Sequence, residues 1–318
     1  MIDSKDISVV VQGAIDKENT PKCLKSIRKY LPNAEIILST WEGSDISGLD
    51  YDILVENKDP GAANYVRSDG AITPNNVNRQ LVSTQNGLMR CKNKFAMKLR
   101  SDLILTSNKF LNYFYKFPKR TEEYQLFKER LVIPSVYTKK YSVFTKFPVL
   151  FHPSDWWFFG LREDLYTYFI DTPLAQEPEF SNGPCKYPKK IPNPKCKNKF
   201  FAEQYYCIEA IKRKFSNIEF EDWSCWNEEN TTQSQLFMIN NFIVLDFVEH
   251  GIYSKKHIGV LRKNNGLSIM KGLVSHRNFL KDYKKYCDNN FSISFRYRKF
   301  WQTIEAKLLK RFKRKNII

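Results

Sequence analysis

Residues 95–102 (FAMKLRSD) bring an arginine and an aspartate to the end of an alternating apolar segment. The alternation predicts a strand, and Arg100 and Asp102 would follow at its carboxyl end. Open α/β sheets bind ligands outside the carboxyl ends of their strands, so Asp102 could hold a divalent cation together with a diphosphate. Aspartate is also common at tight turns, and a structural role for Asp102 as a cap of the following turn stays open.

Polar residues also follow the first two predicted strands. Gln12 and Gly13 come directly after the first apolar run, where the base and ribose of a nucleotide would lie, and glycine lets a ligand approach the backbone closely. Glu42 follows the second strand and could accept hydrogen bonds from ribose hydroxyls. A solvated turn residue is an equally good interpretation of Glu42.

A third group of polar residues begins a predicted helix at about residue 76. Asn76, Asn78 and Arg79 lie in its first turn, where the free N–H groups of a helix suit an anionic phosphate. The guanidinium of Arg79 would add charge-assisted hydrogen bonds. Asparagine is also an ordinary helix cap, but a cap does not require Arg79.

Residues 152–160 (HPSDWWFFG) combine a histidine, an aspartate and four consecutive aromatic residues. Aromatic faces stack on sugar rings and a carboxylate fixes hydroxyl groups, so His152, Trp156 and Trp157 are interpreted as a wall of a sugar or acceptor site. Strand alternation makes two of the four aromatic residues part of the core. Asp155 lies beside much apolar surface and therefore needs a partner or a catalytic role.

The elements that position these residues alternate along the chain. The sequence predicts strands at 7–11, 36–38, 51–55 and 95–100, with helices at 20–31 and 76–90 between them, then a helix near 108–117, a strand at 131–136 and a helix that starts near 201. Alternating strands and helices indicate an α/β fold with a doubly wound, mostly parallel sheet. Other α/β folds share this alternation without binding a ligand.

The net charge of +17 is concentrated in two segments. Residues 296–318 contain nine lysines or arginines against one acid, and residues 181–200 contain six lysines and no acid, so the other 275 residues carry only +3. The basic tail could form an amphipathic helix, with Phe300, Trp301 and Ile304 on its apolar side, that binds an anionic membrane. RNA contact and packing on the domain are the alternatives. The 181–200 loop could cover a diphosphate, connect two elements or contact lipid.

The remaining composition points to a cytosolic enzyme. The seven cysteines form no metal-binding pattern and fit a reducing compartment, and neither a signal peptide nor a run of about 18 apolar residues is present. With the basic tail, this predicts a peripheral protein on the inner face of the cytoplasmic membrane. The nearly neutral body of the chain argues against nucleic acid as a partner.

Several segments, in order, resemble the WavE lipopolysaccharide synthesis family, bacterial proteins regarded as glycosyltransferases. They are VVQG (10–13), LSTWEG (38–43), DPG (59–61), NNVNRQ (75–80), ST (83–84), KLRSD (98–102), HPSDWWFFG (152–160) and AEQY (202–205). The resemblance covers about residues 7–210, and no clear match follows residue 225. Each segment alone would be weak, and their order and number make the resemblance specific.

The resemblance implies a GT-A-like domain at 1–290, with a nucleotide-binding half at 1–105 and an acceptor half at 106–290, followed by the basic tail at 291–318. It implies transfer of a sugar from a nucleotide-sugar donor to a lipopolysaccharide, capsule or related cell-surface glycan, with a glycan or lipid-linked acceptor. GT-A enzymes often carry Asp-x-Asp at the end of this strand, and Arg100 here replaces the first aspartate. Mn²⁺ or Mg²⁺ bound by Asp102 is therefore an expectation that Arg100 puts in doubt, since a guanidinium neutralises a diphosphate directly.

Glu203 lies in the first turn of a predicted helix, where inverting GT-A enzymes often place their base, so Glu203 and Asp155 are the predicted catalytic residues. A surface glutamate favoured by the helix dipole is the alternative for Glu203. Two other functions stay open for the chain. A sugar nucleotidyltransferase would usually carry a Gly-rich phosphate loop, which Gln12-Gly13-Ala14 lacks. A nucleic-acid-binding protein would use the basic tail.

Overall fold

A central sheet of seven strands organises the protein, as seen in a computed structural model. The structure describes residues 2–66, 71–142, 146–176, 199–223, 225–254 and 272–293. The strands in these ranges are β1 (Ile7–Gln12), β2 (Glu35–Trp41), β3 (Ile53–Asn57), β4 (Ala63–Val66), β5 (Ile72–Asn75), β6 (Phe95–Arg100), β7 (Ile104–Leu105), β8 (Leu131–Pro134), β9 (Trp157–Leu161), β10 (Phe242–Leu245) and β11 (Ile252–Tyr253).

Helices connect the strands. They are α1 (Asn19–Tyr30), α2 (Val77–Leu88), α3 (Arg162–Phe169), α4 (Ala202–Lys212), α5 (Glu228–Asn241), α6 (Phe247–His250) and α7 (His276–Tyr286), with 3₁₀ helices at Ser4–Asp6 and Lys109–Tyr113. None of the helices in the described ranges is both long enough and apolar enough to cross a membrane.

The large sheet has the strand order β10-β8-β9-β6-β1-β2-β3. Its neighbours pair in parallel, except that β9 runs antiparallel to both β6 and β8. The predicted α/β fold with a mostly parallel sheet flanked by helices is therefore confirmed. Strands β8, β9 and β10, from the predicted acceptor half (106–290), extend the sheet that strands of the predicted nucleotide-binding half (1–105) begin, so one sheet runs through both.

The register of β1 brings the ends of three strands together. Gln12, at the end of β1, lies opposite Ser39 of β2 on one side and Arg100 of β6 on the other. All six residues of β1 are buried, as expected for a strand covered on both faces. Gly87 lets α2 pack closely on this strand, because a Cβ atom there would collide with the side chain of Val10.

Two predicted elements differ from the structure. The third strand begins at Ile53 and not at residue 51, since the Asp52 carboxylate accepts hydrogen bonds from Arg28 and from the N–H of Ile36. The helix predicted near 108–117 is a short 3₁₀ helix, Lys109–Tyr113. The basic tail 296–318, and the 181–200 loop apart from Lys199 and Phe200, lie outside the described residues.

Candidate functional site

A cleft of about 380 Å³ opens at the carboxyl edge of the sheet, where β1 and β6 adjoin. The chain passes from β1 to β2 on one side and later returns to β6 on the other, so this is the switch point at which open α/β sheets bind ligands. We call it the arginine cleft. Its lining comes from the ends of three strands and the start of α2: Gln12, Gly13, Ala14, Ile15, Asp16, Trp41, Asn76, Arg79, Gln80, Arg100, Ser101 and Asp102.

The loop after β1 is held in place by backbone and side-chain hydrogen bonds. Gly13 has a φ angle of +112°, which favours glycine, and its N–H donates to the carbonyl of Ser39 over 3.0 Å. The hydroxyl of Ser101 donates to the carbonyl of Ala14 over 2.6 Å. The buried amide oxygen of Gln12 accepts a hydrogen bond of 2.7 Å from Ser83, so the Gln12 side chain fastens this loop to α2.

Arg100 and Asp102 form a two-point ion pair at the end of β6. Nε and Nη2 of Arg100 donate to Oδ1 and Oδ2 of Asp102 over 3.1 and 2.8 Å. Only 21% of the arginine side chain and 12% of the aspartate side chain are exposed. The guanidinium also lies 5.8 Å from the ring centroid of Trp156, which limits its orientation. The pair is thus a preorganised, partly desolvated feature of the cleft.

Arg79 enters the cleft from the start of α2 and is held by a more exposed partner. Its Nε and Nη2 each donate to Asp59 over 2.7 Å, and its Nη1 donates to Asn76 over 3.0 Å. These bonds lower the pKa of Asp59. Exposed ion pairs contribute little net stability, so Arg79 could exchange Asp59 for the anionic group of a ligand at small cost.

A second group of polar residues lies beside the arginine cleft and is largely buried. This carboxylate cluster contains Lys98, His152, Asp155 and Glu203. Gln80, which also lines the cleft, donates to Oδ2 of Asp155 over 2.8 Å. Lys98 donates to the backbone carbonyl of Asp155. Nε2 of His152 lies 3.8 Å from Oε2 of Glu203. Gln80 therefore connects the two parts of the site.

The surroundings of Glu203 raise its pKa into the neutral range. Burial, and then the negative charge of Asp155, raise the pKa of Glu203 from its usual 4.5 to about 7. Burial, and then the positive charge of Lys139, hold the pKa of His152 well below its usual range, so this imidazole is neutral at pH 7. A carboxylate with a pKa near the working pH suits proton transfer.

Lys98 belongs to the site, although the reasoning from sequence assigned it no role. It is 1% exposed, and burial lowers its pKa to about 8 while the charge of Asp155 acts in the opposite direction. Its cation offsets the negative charge of the two neighbouring carboxylates. The sequence did carry a signal, since a lysine inside an otherwise apolar central strand must have a partner for its charge.

Most of the predicted site residues lie in one region of the protein. Those lining the arginine cleft are Gln12, Gly13, Asn76, Arg79, Arg100 and Asp102. Those at or beside the carboxylate cluster are His152, Asp155, Trp156 and Glu203. Trp156 is 5% exposed, and its ring centroid lies 5.8 Å from the guanidinium carbon of Arg100 and 5.3 Å from the ring centroid of Tyr137.

Three predicted site residues have other surroundings. Glu42 is exposed on the turn after β2 and does not line the cleft. The Asn78 amide is occupied, because it donates to and accepts from the backbone of Ala175 over 2.9 and 2.7 Å. Trp157 is fully buried on β9, where its ring packs against Phe110 and His250. It is a core residue and not part of a sugar-binding wall.

The family model for WavE lipopolysaccharide synthesis matches residues 7–314. The chain belongs to the WavE family. The resemblance seen in the sequence is confirmed, and the match extends well beyond residue 225, where the separate segments gave no clear signal. Membership of this bacterial family supports the conclusion that the protein is a glycosyltransferase that acts on cell-surface glycans.

Comparison with other proteins adds a distant structural similarity. None of the curated proteins compared with this WavE-family chain matches it. Among solved structures, S. aureus TarS 1-349 is 10% identical to it, with a TM-score of 0.36 over 94% of this chain and 78% of that chain.

Proposed function

We propose that this protein transfers a sugar from a nucleotide-sugar donor to a lipopolysaccharide, capsule or related cell-surface glycan. One observation carries the proposal: a cleft with two arginines at the switch point of the sheet adjoins a largely buried carboxylate whose pKa is raised to about 7. Anion binding and proton acceptance are the two tasks that sugar transfer from a diphosphate requires.

The donor diphosphate would occupy the arginine cleft. Arg79 and Arg100 offer planar guanidinium groups that match phosphate oxygens, and the backbone at Gly13 leaves room for the nucleoside. The first turn of α2 adds backbone N–H groups at the same place. As the glycosidic bond to the donor breaks, negative charge develops on the leaving nucleoside diphosphate, and both arginines would stabilise it.

The acceptor would approach from the carboxylate cluster. Glu203 would accept the proton of the acceptor hydroxyl. The oxygen of that hydroxyl would form a bond to the anomeric carbon of the donor sugar as the bond from that carbon to the diphosphate oxygen breaks. Asp155 raises the basicity of Glu203 by its charge and is fixed by Gln80 and Lys98. His152 and Trp156 would border the acceptor, as the sequence predicts.

The residues of the cleft fit a divalent cation that arrives with the diphosphate. Within the described ranges, no group of three or more His, Cys, Asp or Glu side chains could hold a metal ion by itself. Mg²⁺ is usually held by one or two carboxylates together with phosphate oxygens and water, so Asp102 suffices on the protein side. The charged residues lining the cleft are Asp16, Arg79, Arg100 and Asp102, and their formal charges sum to zero. A bound diphosphate would therefore add negative charge, which a cation would neutralise.

Stabilisation by nucleotides tests this proposal directly. Thermal unfolding would be followed with UDP, GDP, CMP and ADP and their common sugars, with and without Mn²⁺. A preferred nucleotide at about 100 Kd should stabilise the protein by roughly 2.7 kcal/mol. Arg79→Ala should lose this shift, and Arg90→Ala, an exposed arginine just after α2, should keep it. If no nucleotide shifts the unfolding temperature, the proposal is wrong.

We further propose that residues 296–318 hold the enzyme at the anionic inner face of the cytoplasmic membrane, near a lipid-linked acceptor. The basic and aromatic composition of this segment supports the proposal. Deleting residues 296–318 should reduce sedimentation with phosphatidylglycerol vesicles and leave the unfolding temperature unchanged. Equal sedimentation of the two proteins would contradict the membrane contact, and binding to phosphatidylcholine vesicles is the control.

A further inference from the structure

A second cavity, of about 260 Å³, lies between residues 139–141 and 146–150 on one side and α5 and α7 on the other. Its interior is largely apolar and includes Leu150, Met238, Val244, Val274 and Phe279. Three of these side chains, Leu150, Val244 and Phe279, are buried in the core that surrounds the cavity. A concave apolar lining of this kind favours a ligand with an apolar part, because binding removes apolar surface from water.

Positive charge borders the cavity. Lys139, Lys140 and Lys146 line it, and Asp282 is the one carboxylate among its described lining residues. Lys140 and Lys146 are exposed, so the charged border reaches the protein surface. Lys140 acts electrostatically on Asp282, opposing the burial that raises its pKa. The excess of ammonium groups favours an anionic group on the ligand.

Lys139 connects this cavity to the carboxylate cluster. Its ammonium nitrogen lies 4.2 Å from the ring centroid of Phe201, the residue that precedes α4 and lies two positions before Glu203. The backbone N–H of Lys139 donates to the backbone carbonyl of His152 over 3.1 Å. The charge of Lys139 also acts on Glu203 and on His152. A ligand at the charged border would therefore lie next to the predicted base.

We propose that this cavity binds the apolar chain of a lipid, that the phosphate of the lipid contacts the lysines at the border, and that the lipid carries the acceptor. The inference rests on the proposed function, since an acceptor hydroxyl must reach Glu203. The apolar lining of the cavity fits the chain of the lipid, and the lysines at its border fit the phosphate. Lys139 and Glu203 then adjoin the same end of the lipid.

Calorimetric binding of dodecyl phosphate to the full chain, below its critical micelle concentration and without nucleotide, tests the site. Dodecyl phosphate should bind, and inorganic phosphate alone should not. Met238→Trp and Val274→Phe fill the cavity from two different elements, and each should weaken binding at least tenfold. Thr232→Trp, an exposed position on the same helix as Met238, should bind like the wild type. Thermal unfolding identifies any variant that does not fold.

Charge variants test the phosphate contact separately. Lys140→Ala with Lys146→Ala should weaken the binding of dodecyl phosphate several-fold and leave that of dodecyl maltoside unchanged. Lys92→Ala with Lys94→Ala removes two exposed lysines before β6 and should change neither. Equal binding of dodecyl phosphate to the wild type and to both cavity-filling variants would overturn the proposal. If dodecyl phosphate binds in the cavity but no nucleotide raises the unfolding temperature, the lipid site is supported and the proposed transferase function is contradicted.

Discussion

Replacing Glu203 by glutamine should lower sugar transfer by about 10²–10⁴-fold, the usual contribution of a general base, and leave the affinity for the nucleotide sugar unchanged. Glutamine keeps the size of the side chain but cannot accept the proton of the acceptor hydroxyl. The binding of the donor depends on the arginine cleft, which this substitution does not alter. Steady-state transfer rates and calorimetric binding of the nucleotide measure the two effects separately.

Glu209→Gln is a matched control on the same helix. The exposed fractions of the two side chains are nearly equal, 16% for Glu203 and 17% for Glu209, but Glu209 pairs with Lys212 over 2.7 Å and lies outside the carboxylate cluster. We expect Glu209→Gln to transfer sugar at the wild-type rate. If Glu203→Gln also does so, Glu203 is not the base, and the same measurement on Asp155→Asn decides whether the second carboxylate has that role.

The raised pKa of Glu203 gives this substitution a characteristic pH dependence. The base works only when deprotonated, so the wild-type rate should rise about tenfold per pH unit below 7 and level off above it, and the residual rate of Glu203→Gln should lack this rise. Because the folded pKa of about 7 exceeds the usual 4.5, the folded protein binds the extra proton and loses stability as the pH rises from about 4.5 to 7. Glu203→Gln should therefore unfold at a higher temperature than the wild type at about pH 8, with no such difference at about pH 4.

The arginine cleft could be anticipated from the sequence because its positions follow from local patterns. Apolar runs identify β1 and β2, the alternation at 95–100 identifies β6, and parallel strands place their carboxyl ends at one edge. These patterns predict that Arg100 and Gly13 lie at the same edge of the sheet, and the pairing of β6 with β1 brings them together. The helix start at Asn76 follows from the same kind of pattern.

The carboxylate cluster could be anticipated only as a set of separate residues. Residues 157–161 form β9, which pairs antiparallel with β6 over 50 positions earlier, and no local pattern specifies that partner. The contact between Glu203 and His152 depends on how α4 packs against α3 and the rest of the core. Asn78 illustrates the converse, since its polarity suggested a ligand but its amide meets the backbone of Ala175, 97 residues away.

Asp102→Asn should remove the effect of a divalent cation on donor binding. In the presence of Mn²⁺ the dissociation constant of the preferred nucleotide should rise roughly tenfold or more, since losing one strong charge interaction of about 1.4 kcal/mol corresponds to tenfold. Without metal, the same constant should change little, because Asp102 has no cation to hold and its carboxylate contacts Arg100 and not the nucleotide. Calorimetry of wild type and variant, each with Mn²⁺ and with EDTA, measures the four constants.

Asp59→Asn is the control for the loss of one negative charge in Asp102→Asn. It also removes a carboxylate that accepts from an arginine of the cleft, here Arg79. Asp59 does not line the cleft, so this variant should keep the full effect of Mn²⁺. The competing interpretation is that Asp102 only orients Arg100. Under that interpretation Asp102→Asn weakens binding equally with and without metal, and Arg100 then provides the charge that the first aspartate of Asp-x-Asp supplies with its metal in other enzymes. The ratio of the two constants, and not either one alone, therefore distinguishes a cation ligand from a partner of Arg100.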